Sequence, residues 1–141
     1  MPVKFQYKAI PSALYGQVYR PVADVLVKHK TEDVWFSVQM VVDTGADYTI
    51  MPRSYAHPLG IDLALDCTRH TTYGVGGSET VFLFRGLVVR LGKWERRIPL
   101  GFLDRDDIPA LLGRQEFFET FKVTFEGHEL TFTEPSRRRG R

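Results

Sequence analysis

Apolar and polar residues alternate at period two along most of this chain, and sustained helical periodicity is nearly absent, so the pattern predicts a mostly β protein. The clearest run is Val34 to Val42, with Val34, Phe36, Val38, Met40 and Val42 on one face and Trp35, Ser37, Gln39 and Val41 on the other. Lys4 to Ile10 reads as a first strand, Pro11 to Gly16 as a break with turn residues, and Val22 to Lys28 as a second strand. Thr49 to Met51 is short and apolar. Pro52 then opens Arg53 to Gly60, which has room for one helical turn closed by Gly60. Thr71 to Tyr73 and Thr80 to Phe84 flank Gly74-Val75-Gly76-Gly77, the arrangement of a hairpin with a glycine-rich tip. Gly86 to Leu91 and Glu95 to Phe102 form another antiparallel pair turning at Gly92-Lys93, followed by a charged loop from Leu103 to Pro109. Gln115 to Thr120 is the one convincing helix. Phe121 to Phe125 and Glu129 to Thr133 make a final hairpin around Gly127.

The long alternating strand delivers Val41-Val42-Asp43-Thr44-Gly45-Ala46. An aspartate at a strand end, with a glycine that lets the backbone turn and a hydroxyl beside it, can be held in a partly buried cleft. With 141 residues the chain suits one domain. Its 43% apolar and 26% charged residues, and the lack of an 18-residue apolar run, argue against a membrane span. Met1 to Arg20 shows no secretory signal, so the cytoplasm is the expected location. Cys67 is the only cysteine, which rules out an internal disulfide and a cysteine-based zinc cluster; it is expected to be a small buried hydrophobe.

A formal net charge of +2 gives no case for a nucleic-acid partner, and the arginines at 137, 138, 139 and 141 read as a solvated, disordered tail over 135–141. His29, His57, His70 and His128 are scattered, so no metal is expected. Gly74 to Gly77 neither opens onto a helix nor precedes Lys-Ser/Thr, which argues against a phosphate loop. Asp104, Asp106 and Asp107 lack the glycine and distal glutamate of the familiar calcium loop and read as solvated. Ser-His-Asp chemistry has no nucleophile elbow here.

Three elements in order carry a resemblance: Val42-Asp43-Thr44-Gly45-Ala46-Asp47, Gly74-Val75-Gly76-Gly77 and Leu111-Leu112-Gly113-Arg114. Together with Thr49-Ile50-Met51 and Phe117 to Val123, they make the chain similar to retropepsin-type aspartic peptidases, the single-lobe family of retroviral proteases, the DNA-damage-inducible protein's protease domain and small bacterial relatives. The resemblance spans about residues 34 to 133. It implies a closed acid-protease-type β-barrel lobe with a flap hairpin and one short C-terminal helix, over residues 21–134. Residues 1–20 would be an N-terminal extension available as a dimer or edge strand. It further implies Asp43, Thr44 and Gly45 as the catalytic loop, and Ala46, Asp47, Val75, Gly76, Gly77, Leu111 and Leu112 as substrate-binding positions. Gly113 and Arg114 would be structural support, with Arg114 paired to Asp47. No cofactor is implied.

Hydrolysing a peptide with two carboxylates needs one ionised group to take a proton from water and one protonated group to polarise the scissile carbonyl. This chain holds a single Asp-Thr-Gly and no Asp-Ser-Gly. An active enzyme must therefore be a two-fold homodimer in which Asp43 meets its symmetry mate. Such a dyad titrates in two macroscopic steps and favours acidic to mildly acidic conditions. A different class of function keeps the fold without the chemistry: a catalytically inactive peptide-binding or dimerisation module.

Overall fold

The computed structural model describes residues 2–74 and 76–134. Val75 at the hairpin tip and the arginine tail over 135–141 lie outside the described residues. Twelve strands are present among them: β1 (Val3–Gln6), β2 (Lys8–Ser12), β3 (Gly16–Arg20), β4 (Val22–Lys28), β5 (Trp35–Val42), β6 (Thr49–Pro52), β7 (Thr68–Gly74), β8 (Gly77–Leu91), β9 (Trp94–Leu103), β10 (Ala110–Leu112), β11 (Lys122–Glu126) and β12 (Glu129–Thr133). The protein is thus mostly β, and no helix of the described residues is long and apolar enough to cross a membrane.

The main sheet runs β4-β5-β10-β6-β9-β8-β7, and β4 pairs also with β8 through Leu26↔Arg90 and Val27↔Val89. Alternation along β4 and β5 decides which side is inward. Val25, Val27, Val38 and Met40 are buried, whereas Asp24, Ser37 and Gln39 face solvent. With Met51, Leu87, Val89, Ile98, Leu100, Phe102 and Leu112 they form one continuous core. Burying each of these larger side chains contributes roughly 1.5–3 kcal/mol, so the apolar alternation itself fixes strand register.

Gly86 to Leu91 is not a separate strand, as the pattern predicts, but the second half of the 15-residue β8. The alternation is interrupted there by a bulge between Phe84 and Leu87, where Gly86 adopts φ 82° and its carbonyl accepts a hydrogen bond from Arg97 Nη1 at 3.0 Å. The expected first strand is likewise divided at Tyr7. Its second part, β2, pairs with β3, which the turn residues at Pro11 to Gly16 conceal in the sequence. The expected turn after Pro52 is present as two 3-10 segments, Arg53–Tyr55 and His57–Leu59, and Gly60 caps the second at φ 74°. The helix predicted over Gln115 to Thr120 contracts to the 3-10 segment Phe118–Thr120. Glu116 at φ 55° and Phe117 at φ −126° break the helical path, and Phe117 is fully buried by that turn.

A second sheet, β1-β12-β11, joins both ends of the described chain, with Val3↔Phe132 and Val123↔Phe132 as cross-strand neighbours. The N-terminal β1 takes an edge position. His128, at the turn between β11 and β12, stacks between Tyr7 and Tyr19 at 5.3 and 5.0 Å, which anchors the β2–β3 hairpin to this sheet.

Cys67 is half-buried against the core, and burial, followed by the charges of Asp66 and Asp62, pushes its thiol up to about 11. Its thiolate fraction near neutral pH is then expected to be roughly a hundredfold below that of an ordinary thiol. Maleimide or disulfide-reagent labelling of the native protein should be correspondingly slow and become fast in denaturant. The raised value also fixes the sign of the linkage: the thiol's contribution to stability is intact below about pH 9 and is lost as pH rises towards 11.

Candidate active site

Asp43 follows the last residue of β5, and the backbone around it is fixed on three sides. β10 lies parallel to β5, with Leu111↔Val41 and Leu112↔Val42, and antiparallel to β6 through Leu111↔Ile50. The Asp43 N–H donates to the Leu112 carbonyl at 3.1 Å, so β10 holds the strand end. The side-chain Oδ1 of Asp43 accepts the Gly45 N–H at 2.9 Å, and the Asp43 carbonyl accepts the Ala46 N–H at 3.2 Å, closing a tight loop. A Cβ on Gly45 would sit 3.4 Å from Asp43 Oδ1, so glycine lets the carboxylate lie close over the loop. Asp43 and Ala46 are half-buried, while Thr44 and Gly45 are exposed in the single chain.

The Leu111–Arg114 segment supports this loop from beneath. Arg114 N–H donates to the Ala46 carbonyl at 3.0 Å, Gln115 N–H to the Asp47 carbonyl at 2.7 Å, and the Arg114 guanidinium to Asp47 Oδ1 at 2.5 Å. The Arg114 and Asp47 side chains are 43% and 71% exposed. An ion pair so solvated contributes only about 0–1 kcal/mol, so the two backbone bonds do more to hold the loop. Gly113 is required by space: a Cβ there would meet the Tyr48 carbonyl carbon at 2.2 Å. Its N–H donates at 3.1 Å to Oγ1 of Thr49, a side chain with no solvent exposure.

Thr49 is a site residue that the strand pattern does not distinguish from its apolar neighbours. Its hydroxyl is the buried partner of a backbone donor, and Thr49→Val keeps the shape but leaves the Gly113 N–H unpaired. Thr49→Val is expected to destabilise the protein by about 1–3 kcal/mol, seen as a lower urea midpoint with an unchanged slope.

Tyr48 lies between Asp47 and Thr49, and its ring occupies the space left by Gly101, where a Cβ would come within 2.7 Å of Tyr48 Cε2 and 2.8 Å of Val81 Cγ1. Burial, and then the Asp47 charge, raises its phenol above the ordinary tyrosine range. Leu111 is half-buried at the loop, whereas Leu112 has no solvent exposure and belongs to the core. The two differ because successive residues of β10 point to opposite sides.

The glycine-rich hairpin consists of β7 and β8, paired from Thr68↔Leu83 to Gly74↔Gly77, with Gly76 and Gly77 exposed and Gly77 at φ 107°. The acidic loop after β9 does more than meet solvent. Asp104 pairs with Arg53, Asp106 accepts the Ser54 N–H at 3.0 Å, and Arg105 bridges Asp107 and Glu79 of β8. Apart from Arg105 with Asp107, these pairs join segments far apart in the chain, so nothing local in the sequence reveals them. Among the described residues no group of three or more His, Cys, Asp or Glu could hold a metal ion. A cavity of about 220 Å³ lined by Phe36, Val38, Tyr55, Pro58 and Leu59 includes none of residues 43–47.

The fold is that of the retropepsin-like aspartic proteases: the chain superposes on the crystal structure of a retropepsin-like aspartic protease from Rickettsia conorii with a TM-score of 0.62 and 22% identity, covering 90% of this chain and 98% of that one. The family model described as gag-polyprotein putative aspartyl protease matches residues 34–119, more than half of the chain, and the protein belongs to that retropepsin-like family. A search of curated proteins finds no match.

Proposed function

We propose that the chain is one half of an aspartic endopeptidase that works as a homodimer, hydrolysing peptide bonds with a water held between Asp43 and Asp43 of a second copy. The observation that carries this reading is the Asp43 loop: a half-buried carboxylate fixed by the Gly45 N–H and by β10, beside Thr44 and Gly45, whose exposure leaves them open to a second copy. One carboxylate alone cannot both take a proton from water and donate one to the scissile carbonyl. Two related by a dyad do both, with one proton shared between them.

In this reading Thr44 ties the two loops together across the axis, and Gly45, Ala46 and Asp47 present backbone and carboxylate to the substrate. Arg114 and Gly113 hold that loop in place. The β7–β8 hairpin is the flap, Gly76 and Gly77 giving it mobility and a backbone donor over the bound peptide. Leu111 contributes apolar lining. The return pairing of β4 with β8 supports describing the lobe over residues 21–134 as a closed barrel.

The test is cleavage of a peptide library by the purified protein between about pH 4 and 7, with mass measured in solution under the same conditions. Specific cleavage by a dimer is the expected result. Peptide binding without product would instead identify a binding module, and cleavage by a strict monomer would remove the second carboxylate and the proposal with it.

A further inference from the structure

The second sheet has two outer strands, β1 and β11. β12 is paired on both sides, by β1 and β11, so it cannot supply an interleaving strand to another chain. β11 pairs with β12 alone among the described residues. Its sequence, Lys122-Val123-Thr124-Phe125-Glu126, is complementary to itself when reversed.

The turn fixes which backbone groups point outward. Gly127 and His128 have φ of 57° and 61°, the signature of a two-residue type I′ hairpin. In such a hairpin the residues next to the turn, Glu126 and Glu129, exchange both hydrogen bonds, and pairs then alternate along the ladder. Lys122, Thr124 and Glu126 therefore turn their N–H and C=O towards β12. Val123 and Phe125 turn theirs to the open edge.

Resting on the reading of the chain as half of a two-chain peptidase, we infer that two copies join edge to edge through β11, antiparallel about a two-fold axis at Thr124. Val123 and Phe125 of one copy then exchange backbone hydrogen bonds with Phe125 and Val123 of the other. Thr124 faces its own mate as a non-hydrogen-bonded pair, and Lys122 lies opposite Glu126 at both ends. Axes at Val123 or Phe125 satisfy the backbone as well, but they set Lys122 opposite Thr124 or His128 and lose both charge pairs. The side chains fit this register too. Val123 and Phe125 share the face on which Leu130 and Phe132 are buried, yet Phe125 stays 41% exposed in the single chain. The second copy sets Val123 beside that exposed ring. The remaining edge, β1, has no such match: Val3-Lys4-Phe5-Gln6 reversed sets Lys4 opposite Phe5. Val3 is also packed so close to Gly92 that a Cβ there would lie 2.5 Å from Val3 Cγ2.

The test is Thr124→Cys, made with Cys67→Ser so that the new thiol is the only one. Across a non-hydrogen-bonded antiparallel pair the Cα atoms lie about 4.5 Å apart, within the range a disulfide spans. Mild oxidation should link Thr124→Cys into a covalent dimer, while Thr131→Cys on the neighbouring strand should stay monomeric on a non-reducing gel. Lys122→Glu should weaken the dimer about tenfold by sedimentation equilibrium, and adding Glu126→Lys should restore it. Equal cross-linking at the two cysteine positions, or an unchanged dimer constant in Lys122→Glu, overturns the register. A dimer that does not link through Thr124→Cys leaves the peptidase reading intact and removes only this edge; a linked dimer that cleaves no peptide does the reverse.

Discussion

Asp43→Asn is expected to reduce peptide cleavage by at least about 10⁴-fold, because in the proposed dyad it removes the group that takes a proton from the attacking water. The change should be silent in unfolding experiments. The Gly45 N–H that Asp43 Oδ1 accepts meets an amide oxygen just as well, and no buried charge is stranded, since the side chain is only half-buried. The more discriminating measurement mixes the two proteins. If each active site takes one aspartate from each of two freely exchanging chains, an equal mixture of the two proteins allowed to equilibrate holds about one quarter fully wild-type dimers, and activity per wild-type chain falls to about one half. Activity that stays proportional to wild-type chain alone would mean that each chain carries its own complete site.

Gly113→Ala is expected to be the most damaging small substitution in the molecule. The added Cβ would lie 2.2 Å from the Tyr48 carbonyl carbon, 2.3 Å from its oxygen and 2.7 Å from the Thr49 nitrogen. These are backbone atoms, not the ends of flexible side chains, so two segments must separate. Overpacking of this kind costs about 3 kcal/mol or more. The separation also breaks the 3.1 Å bond to Thr49 Oγ1 and displaces the Arg114 and Gln115 donors that hold the Ala46 and Asp47 carbonyls. A fall in thermal midpoint should therefore accompany a loss of activity measured at a temperature where the variant is still folded. Stability within about 0.5 kcal/mol of wild type would show that the loop can move apart without cost.

What the sequence reveals depends on range. The β5 alternation and the Asp43 loop are local, and both stand where the pattern places them. The β7–β8 hairpin is legible because its glycines and its strands lie within one short window. Gly60 as a helix cap is legible for the same reason. The short helix after Arg114 is overpredicted, because burying Phe117 outweighs the helical preference of the residues around it. Leu111 and Leu112 are alike in the sequence, yet strand alternation leaves the first half-buried and turns the second into the core. The Thr49 to Gly113 bond and the Arg105 bridge to Glu79 join residues 64 and 26 positions apart, and no pattern in the chain announces either.

Because β1 and β12 run antiparallel with Val3 beside Phe132, the described chain starts and finishes at neighbouring points on the surface. Any segment attached before β1 and any attached after β12 would emerge side by side, roughly one strand spacing, about 5 Å, apart. A short linker could therefore join the two ends, and the exposed turn carrying Leu14 and Tyr15 offers a place to open new ones without cutting the main sheet.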